Sequence, residues 1–265
     1  MAGSGVSQPA NAMHDVNPLP RSRRILAADK RFEVRIASTR NEIESALRLR
    51  FRVFSEELGS TAGNDAGLES DLHDDNSEHL IMVDRTSGQT VGTYRMKSIE
   101  QAGSVAGFYS NTEFTLETLP VELLMNAIEI GRACIAAKHR NSRAIFLIWK
   151  ALARHLSESG KQYFFGCCSI FTSDPTDGQR GLQQLESQGF IHDRFSVRPR
   201  CPIGQSMPMR ADKFKLPGLF EMYLRIGSRV CGPPIYDKEF GTVDFFVIFD
   251  IAEMDAKYRR MFLDQ

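Results

Sequence analysis

Apolar and polar positions along the chain change period several times, and each change marks an element. "FEVRIAST" (32–39) alternates apolar and polar, as a half-buried strand does. In "TRNEIESALRLRFRVFSEELG" the pattern turns helical, with Thr39 or Asn41 as N-cap and Gly59 as the stop. Residues 60–79 are acidic, Gly-containing and irregular, and "HLIMVDRTSGQTVGTYRMKSI" then places two apolar runs around "RTSGQ", which predicts a hairpin. "FTLETLPVELLMN" predicts a short helix and "AIEIGRACIA" a strand. "SRAIFLIWKALARHLSESG" predicts a long helix ended by Gly160, "QYFFGCCSIF" a strand and "DGQRGLQQLESQGF" another helix. After Arg200, Pro and Gly surround one amphipathic helix at about 217–230, followed by the strand "TVDFFVIFDI" and the terminal helix "DAKYRRMF". This order predicts a mixed α/β fold, α+β in layout, with a central sheet that starts antiparallel and is flanked by helices. It reads as a single domain over 31–265, of which about 201–265 is a C-terminal elaboration.

Residues 1 to about 30 are rich in Gly, Ser, Pro, Asn and Ala and run into the basic cluster Arg21, Arg23, Arg24, Lys30 and Arg31, the composition of a disordered arm. Such a basic cluster would be drawn to anionic headgroups. The whole chain is neutral, with 33 basic against 33 acidic residues, so no global field points to nucleic acid. Five cysteines without a CxxC spacing indicate neither a disulfide framework nor a zinc site. No run has signal-peptide character or approaches the roughly 20 apolar residues of a membrane span. A cytoplasmic location follows as the default, with peripheral attachment to the inner membrane as its variant. The helix near 217–230 would suit that attachment, or would pack on the sheet. The 18 Phe residues fit either an apolar pocket or a Phe-rich core.

The chemistry concentrates in "EIGRACI" (129–135), where an apolar strand carries Glu129 and Arg132 just before a turn that opens a helix. A carboxylate in such a strand is poorly solvated and becomes a better proton acceptor, or else half of a structural ion pair. Alternation puts Glu129 and Arg132 on opposite faces, so both serve one site only if a bulge, which Gly131 would permit, re-aims the strand. Asp71 and Asp74 would either organise their loop or receive a cationic amino acid. Adjacent Cys167 and Cys168 fit packing better than a covalent acyl-enzyme, since no His lies nearby in sequence. His79 and Asp84 match an H-x4-D pattern, but their spacing on a strand turns them to opposite faces.

The strand–turn–helix unit resembles the GNAT acyltransferase fold, in which two splayed strands hold a pantetheine arm and the following turn holds phosphate. Here that turn would be Arg140, Asn141 and Ser142, and both glycines usual in "Q/R-x-x-G-x-G/A" are replaced by bulkier residues. That departure disfavours coenzyme A and favours a carrier-protein donor. Over about 32–262 the chain resembles the bacterial ornithine-lipid acyltransferases, through "LRLRFRVFSEELG", "FYSNTEF", "EIGRACI" and "LPGLFEMYLRIGSRVCGPPIYDKEFGTVDFFVI". Those enzymes are similar in turn to acyl-homoserine-lactone synthases.

The resemblance implies acyl transfer from acyl carrier protein to the α-amine of ornithine or another small amino acid. It implies no resident cofactor, metal or nucleic acid. Glu129 would take the proton, Arg132 organise the site, and Ser169 contact pantetheine or protonate the thiolate. Arg50 would anchor an ion-pair cluster with Asp71, Asp74 and Arg95, while Phe54, Cys134, Ile135 and Trp149 complete the substrate-binding set. Lactone synthesis and a non-catalytic binding module are the competing readings.

Overall fold

A computed structural model describes residues 24–61, 63–172, 174–203, 215–238 and 240–263. The strands are β1 (Ile25–Ala28), β2 (Phe32–Ile36), β3 (Glu78–Asp84), β4 (Thr90–Ser98), β5 (Ala127–Ile135), β6 (Tyr163–Phe171), β7 (Arg229–Val230), β8 (Ile235–Asp237) and β9 (Thr242–Asp250). The α-helices are α1 (Arg40–Phe51), α2 (Ile99–Ala102), α3 (Ser110–Glu113), α4 (Val121–Met125), α5 (Ser142–Glu158), α6 (Asp177–Ser187), α7 (Gly218–Ile226) and α8 (Ala256–Phe262). The nine strands form one sheet in the order β1-β2-β3-β4-β5-β6-β9-β7, with β8 also on β9. All neighbours are antiparallel except β5 and β6.

Local chemistry accounts for the boundaries. Thr39 caps α1, its side chain accepting from the Glu42 N–H, and Gly59 ends the segment at φ 77°. Between them the helix widens into a π-turn over Arg52–Glu57 that turns Val53 and Phe54 inward, a change of pitch that apolar periodicity does not announce. Asn141 caps α5 by accepting from the Ala144 N–H at 3.0 Å. On the same helix Trp149 meets Phe164, Tyr223 and Phe249 edge-on and fastens it to the sheet.

Three expectations change. The sheet begins inside the expected arm: Leu26 and Ala27 are buried on β1, which pairs with β2. Residues 1–23 lie outside the described residues, so nothing tests the rest of that arm. Two of its basic residues are in ion pairs, Arg24 with Glu158 and Arg31 with Asp84. The expected helix at 217–230 stops at Ile226, because Gly227 turns to φ 121° and the chain re-enters the sheet as β7. That helix buries Phe220, Tyr223, Leu224 and Ile226, which is the packing alternative. Finally, the segment after residue 200 supplies an inner strand: β9 pairs with β6 over nine positions and is buried throughout.

What positions the site is the divergence of β5 from β6. They pair only from Ala127–Tyr163 to Glu129–Phe165. At the next position Gly166 backs onto the sheet, where a Cβ would stand 2.1 Å from the Ile130 carbonyl oxygen. Beyond it the strands splay.

Candidate active site

The splay opens two adjoining cavities of about 210 Å³ and about 480 Å³, which share Phe54, Ala133, Phe171 and Leu219 in their walls. The smaller holds the polar side chains, among them Glu129, Arg132, Ser169, Arg95 and Lys97. The larger runs past Cys134, Ile135 and Trp149 to Arg140, Asn141 and Ser142 at the start of α5.

Glu129 and Arg132 reach the same cavity because β5 does bulge. Arg95 pairs with Gly131 and Thr93 with Cys134, so β5 carries one more residue than β4 between those pairs. The left-handed residue is Arg132 itself, at φ 49°, rather than the expected Gly131. Its guanidinium holds that conformation through Glu69 at 3.1 Å and Asp71 at 2.8 Å. Tyr109 and Phe240 add ring faces 4.6 and 4.5 Å away.

Glu129 is buried, but its surroundings are less apolar than the strand suggests. Its oxygens accept the backbone N–H of Tyr109 at 3.1 Å and of Ser110 at 2.7 Å, and Lys97 stands opposite on β4. Burial, then the nearby Arg95, lowers the pKa of Lys97 from its ordinary value. Lys97 carries no signal along the sequence, and the loop bearing Tyr109 enters there only through "FYSNTEF", without its approach to Glu129, which the folded sheet and its loops bring about.

The expected ion-pair cluster of Arg50, Asp71, Asp74 and Arg95 exists, with Glu69 and Arg132 joined to it and Asp71 held by Arg95 and Arg132 rather than by Arg50. Arg50 is fully buried and grips Glu69 and, at 2.6 and 3.1 Å, both oxygens of Asp74. Asp71 instead meets Arg95 at 2.5 Å and Arg132. Burial alone would raise the Asp71 carboxyl, yet Arg95 and Arg132 hold it well below the usual range. Asp74 is lowered likewise against burial, by Arg50 and Arg95. Both acids are thus committed to guanidinium groups. Arg50 has no surface left for a substrate, which corrects its substrate-binding assignment. Glu69 joins the network unforeseen, one acid among several in an irregular stretch.

At the start of α5, the Asn141 oxygen is occupied by its cap, and Arg140 is tied to Glu57 and to the Ile135 carbonyl. Ser169 lies opposite Asp244 in the β6–β9 ladder, facing the small cavity. Burial pushes the Cys167 and Cys168 thiols well above their ordinary values, which disfavours a nucleophilic thiolate. His79 lies 3.8 Å from Asp74, whereas Asp84 binds Arg31, so the H-x4-D pair does not act together.

The comparisons with known proteins agree with this geometry. The acetyltransferase (GNAT) domain profile matches residues 49–150. The chain is 31% identical over 243 residues to the L-ornithine N(alpha)-acyltransferase of Brucella abortus strain 2308, covering 85% of this chain and 86% of that one. It is 29% identical over 252 residues to the protein of the same name from Rhodobacter capsulatus, covering 89% and 96%. Among solved structures, the coenzyme-A-dependent acyl-homoserine lactone synthase BjaI, with SAM and isopentyl-CoA, aligns at TM-score 0.51. That alignment covers 85% of this chain and 82% of that one at 14% identity, a likeness of fold alone. The chain is an acyltransferase with a GNAT domain, and it belongs to the L-ornithine N(alpha)-acyltransferase family.

Proposed function

We propose that this enzyme transfers an acyl chain from acyl carrier protein to the α-amine of L-ornithine, forming an amide. The observation that carries the reading is the bulge that brings Glu129 and Arg132 onto one cavity wall, beside strands that have just parted. Beyond Glu129 and Phe165, β5 and β6 no longer pair with each other, and an extended pantetheine arm can lie between them. The larger cavity would take the acyl chain, and the smaller, whose wall carries the charged side chains, the amino acid.

The amine attacks the thioester carbonyl, the C–N bond forms, the C–S bond breaks and the thiolate leaves. Glu129 accepts the ammonium proton, directly or through a water. Each of its oxygens already receives one backbone N–H, yet a carboxylate oxygen can accept twice, so a lone pair remains for the amine. The same N–H groups fix the carboxylate's direction. The second proton of the attacking nitrogen passes to the leaving thiolate, with the Ser169 hydroxyl as the proposed relay. The bulky side chains at the α5 turn support a carrier protein, whose arm ends in one phosphate, over coenzyme A. No helix among the described residues is long and apolar enough to cross a membrane, and attachment at the inner membrane surface is part of the proposal.

The test is incubation of the purified protein with 3-hydroxyacyl carrier protein and ornithine, with products read by mass spectrometry. N-acyl-ornithine is expected, with at least about a 100-fold loss of rate in Glu129→Gln. Amide formation at the wild-type rate in that variant would remove Glu129 from proton transfer. A product on another amino acid would replace the acceptor.

A further inference from the structure

Two buried acids at and just behind the wall of the small cavity, Asp244 and Glu113, are left unused by the reaction above. Glu113 ends the one-turn helix α3, Asp244 interrupts the apolar strand β9, and Cys167 lies on β6. One oxygen or sulfur atom from each lies within 4.8 Å of the other two. Glu113 is 6% exposed and Asp244 3%. Among the described residues, neither Glu113 oxygen and only one of the two Asp244 oxygens has a partner at good hydrogen-bonding geometry, although the Tyr109 hydroxyl and Cys167 thiol stand near Glu113, and the Thr242 and Ser169 hydroxyls near Asp244. Burial, and the nearness of Asp244, push Glu113 up; burial, and the nearby Asp237, do the same to Asp244.

A pair of desolvated, unpaired acids destabilises a fold unless a cation joins it. Among the cations of the cavity wall, Arg132 is engaged with Glu69 and Asp71 and Arg95 with Asp71, while Lys97 stands opposite Glu129. The acids are also continuous with the reacting centre. Asp244 and Cys167 line the cavity, and the Ser110 hydroxyl accepts from the Cys167 thiol at 3.7 Å while the Ser110 N–H donates to Glu129. Ser110 and Glu113 are three residues apart on one helical turn, so about 5–6 Å separates their side-chain bases, close to the span of a short diamino acid. A primary ammonium carries three N–H donors, and three carboxylate oxygens stand open.

We propose that Glu113 and Asp244 bind the distal ammonium of a diamino acid acceptor and so set its α-amine at Glu129. The proposal rests on the acyl-transfer reading for the role of the α-amine, while the ammonium site can be tested without it. A neutral side chain of the same length would leave the acids unpaired, so the pair selects the acceptor.

Ornithine and norvaline, which lacks the distal amine, would be titrated calorimetrically into the purified enzyme and into Glu113→Gln and Asp244→Asn. Acylation of both amino acids from a fixed donor would be measured in parallel. In the wild type, ornithine should bind, and react in kcat/KM, about 100-fold better than norvaline. In each variant the ornithine kcat/KM should fall at least about tenfold, so that the preference for ornithine over norvaline shrinks with it. Wild-type preference below about threefold, or equal losses for both acceptors in the variants, would overturn the site. Stoichiometric divalent metal in the purified protein would overturn it too, since a metal ion would then be the cation. If binding discriminates as expected but no acylation occurs, the ammonium site stands and the reaction falls.

Discussion

Arg132 shows how much one residue can carry. Its left-handed backbone costs roughly 1 kcal/mol or more for a side chain with a Cβ, yet its guanidinium neutralises Glu69 and Asp71 in a buried network. Arg132→Gly would relax the backbone by about 1 kcal/mol while leaving two acids short of a partner, a loss of about 3–5 kcal/mol. The second effect wins, so the unfolding midpoint in denaturant should fall. Arg132→Lys keeps the charge but not the fork or the flat face between Tyr109 and Phe240. It should stay folded and lose about 10- to 100-fold in kcat. A Lys variant at the wild-type rate would show that charge alone suffices.

Two elements set the groove, and each can be tested alone. The parting of β5 from β6 begins where Gly166 passes the Ile130 carbonyl. Gly166→Ala places a Cβ against backbone that cannot swing aside, so about 1–3 kcal/mol of stability should be lost in thermal melts. On α5, Asn141→Ala removes the cap and should cost about 1 kcal/mol. If capping is the whole role of Asn141, KM for the acyl carrier protein will not change, whereas a rise would give it a part in holding the donor phosphate. The elements themselves were largely legible, because apolar alternation and helical spacing survive wherever one face is buried. Where composition misled, packing decided: Leu26 and Ala27 belong to a strand although they follow a Gly- and Ser-rich stretch. The site was legible where a polar residue interrupts an apolar strand, as Glu129 does. By the same signal Asp244 in "TVDFFVIFD" could have been found. Glu69 and Lys97 could not, and Glu113 was only one letter of "FYSNTEF", because each gains its meaning from a neighbour that only the folded sheet and its loops bring close.

Across the whole molecule, two sets of acids with opposite shifts should shape stability against pH. Asp71 and Asp74 are lowered in the fold, so their contribution is complete above their ordinary value of 3.8 and is lost as pH falls below it. Glu113 and Asp244 are raised, so above their ordinary values of 4.5 and 3.8 the folded chain keeps protons that the unfolded chain has released. Stability therefore declines as pH rises from about 4 through the raised values. Glu113→Gln cannot ionise and removes part of that decline. Its Tm should equal the wild type near pH 4 and exceed it increasingly toward pH 8. Saturating ornithine should close the gap from the wild-type side, because an ammonium between the acids favours their charged forms, while norvaline should leave it open. Melts of both proteins across that range, with and without each amino acid, would check this. Parallel curves for the two proteins would mean that the buried acids are already neutralised in the free enzyme, and that the distal ammonium has no unpaired charge to meet.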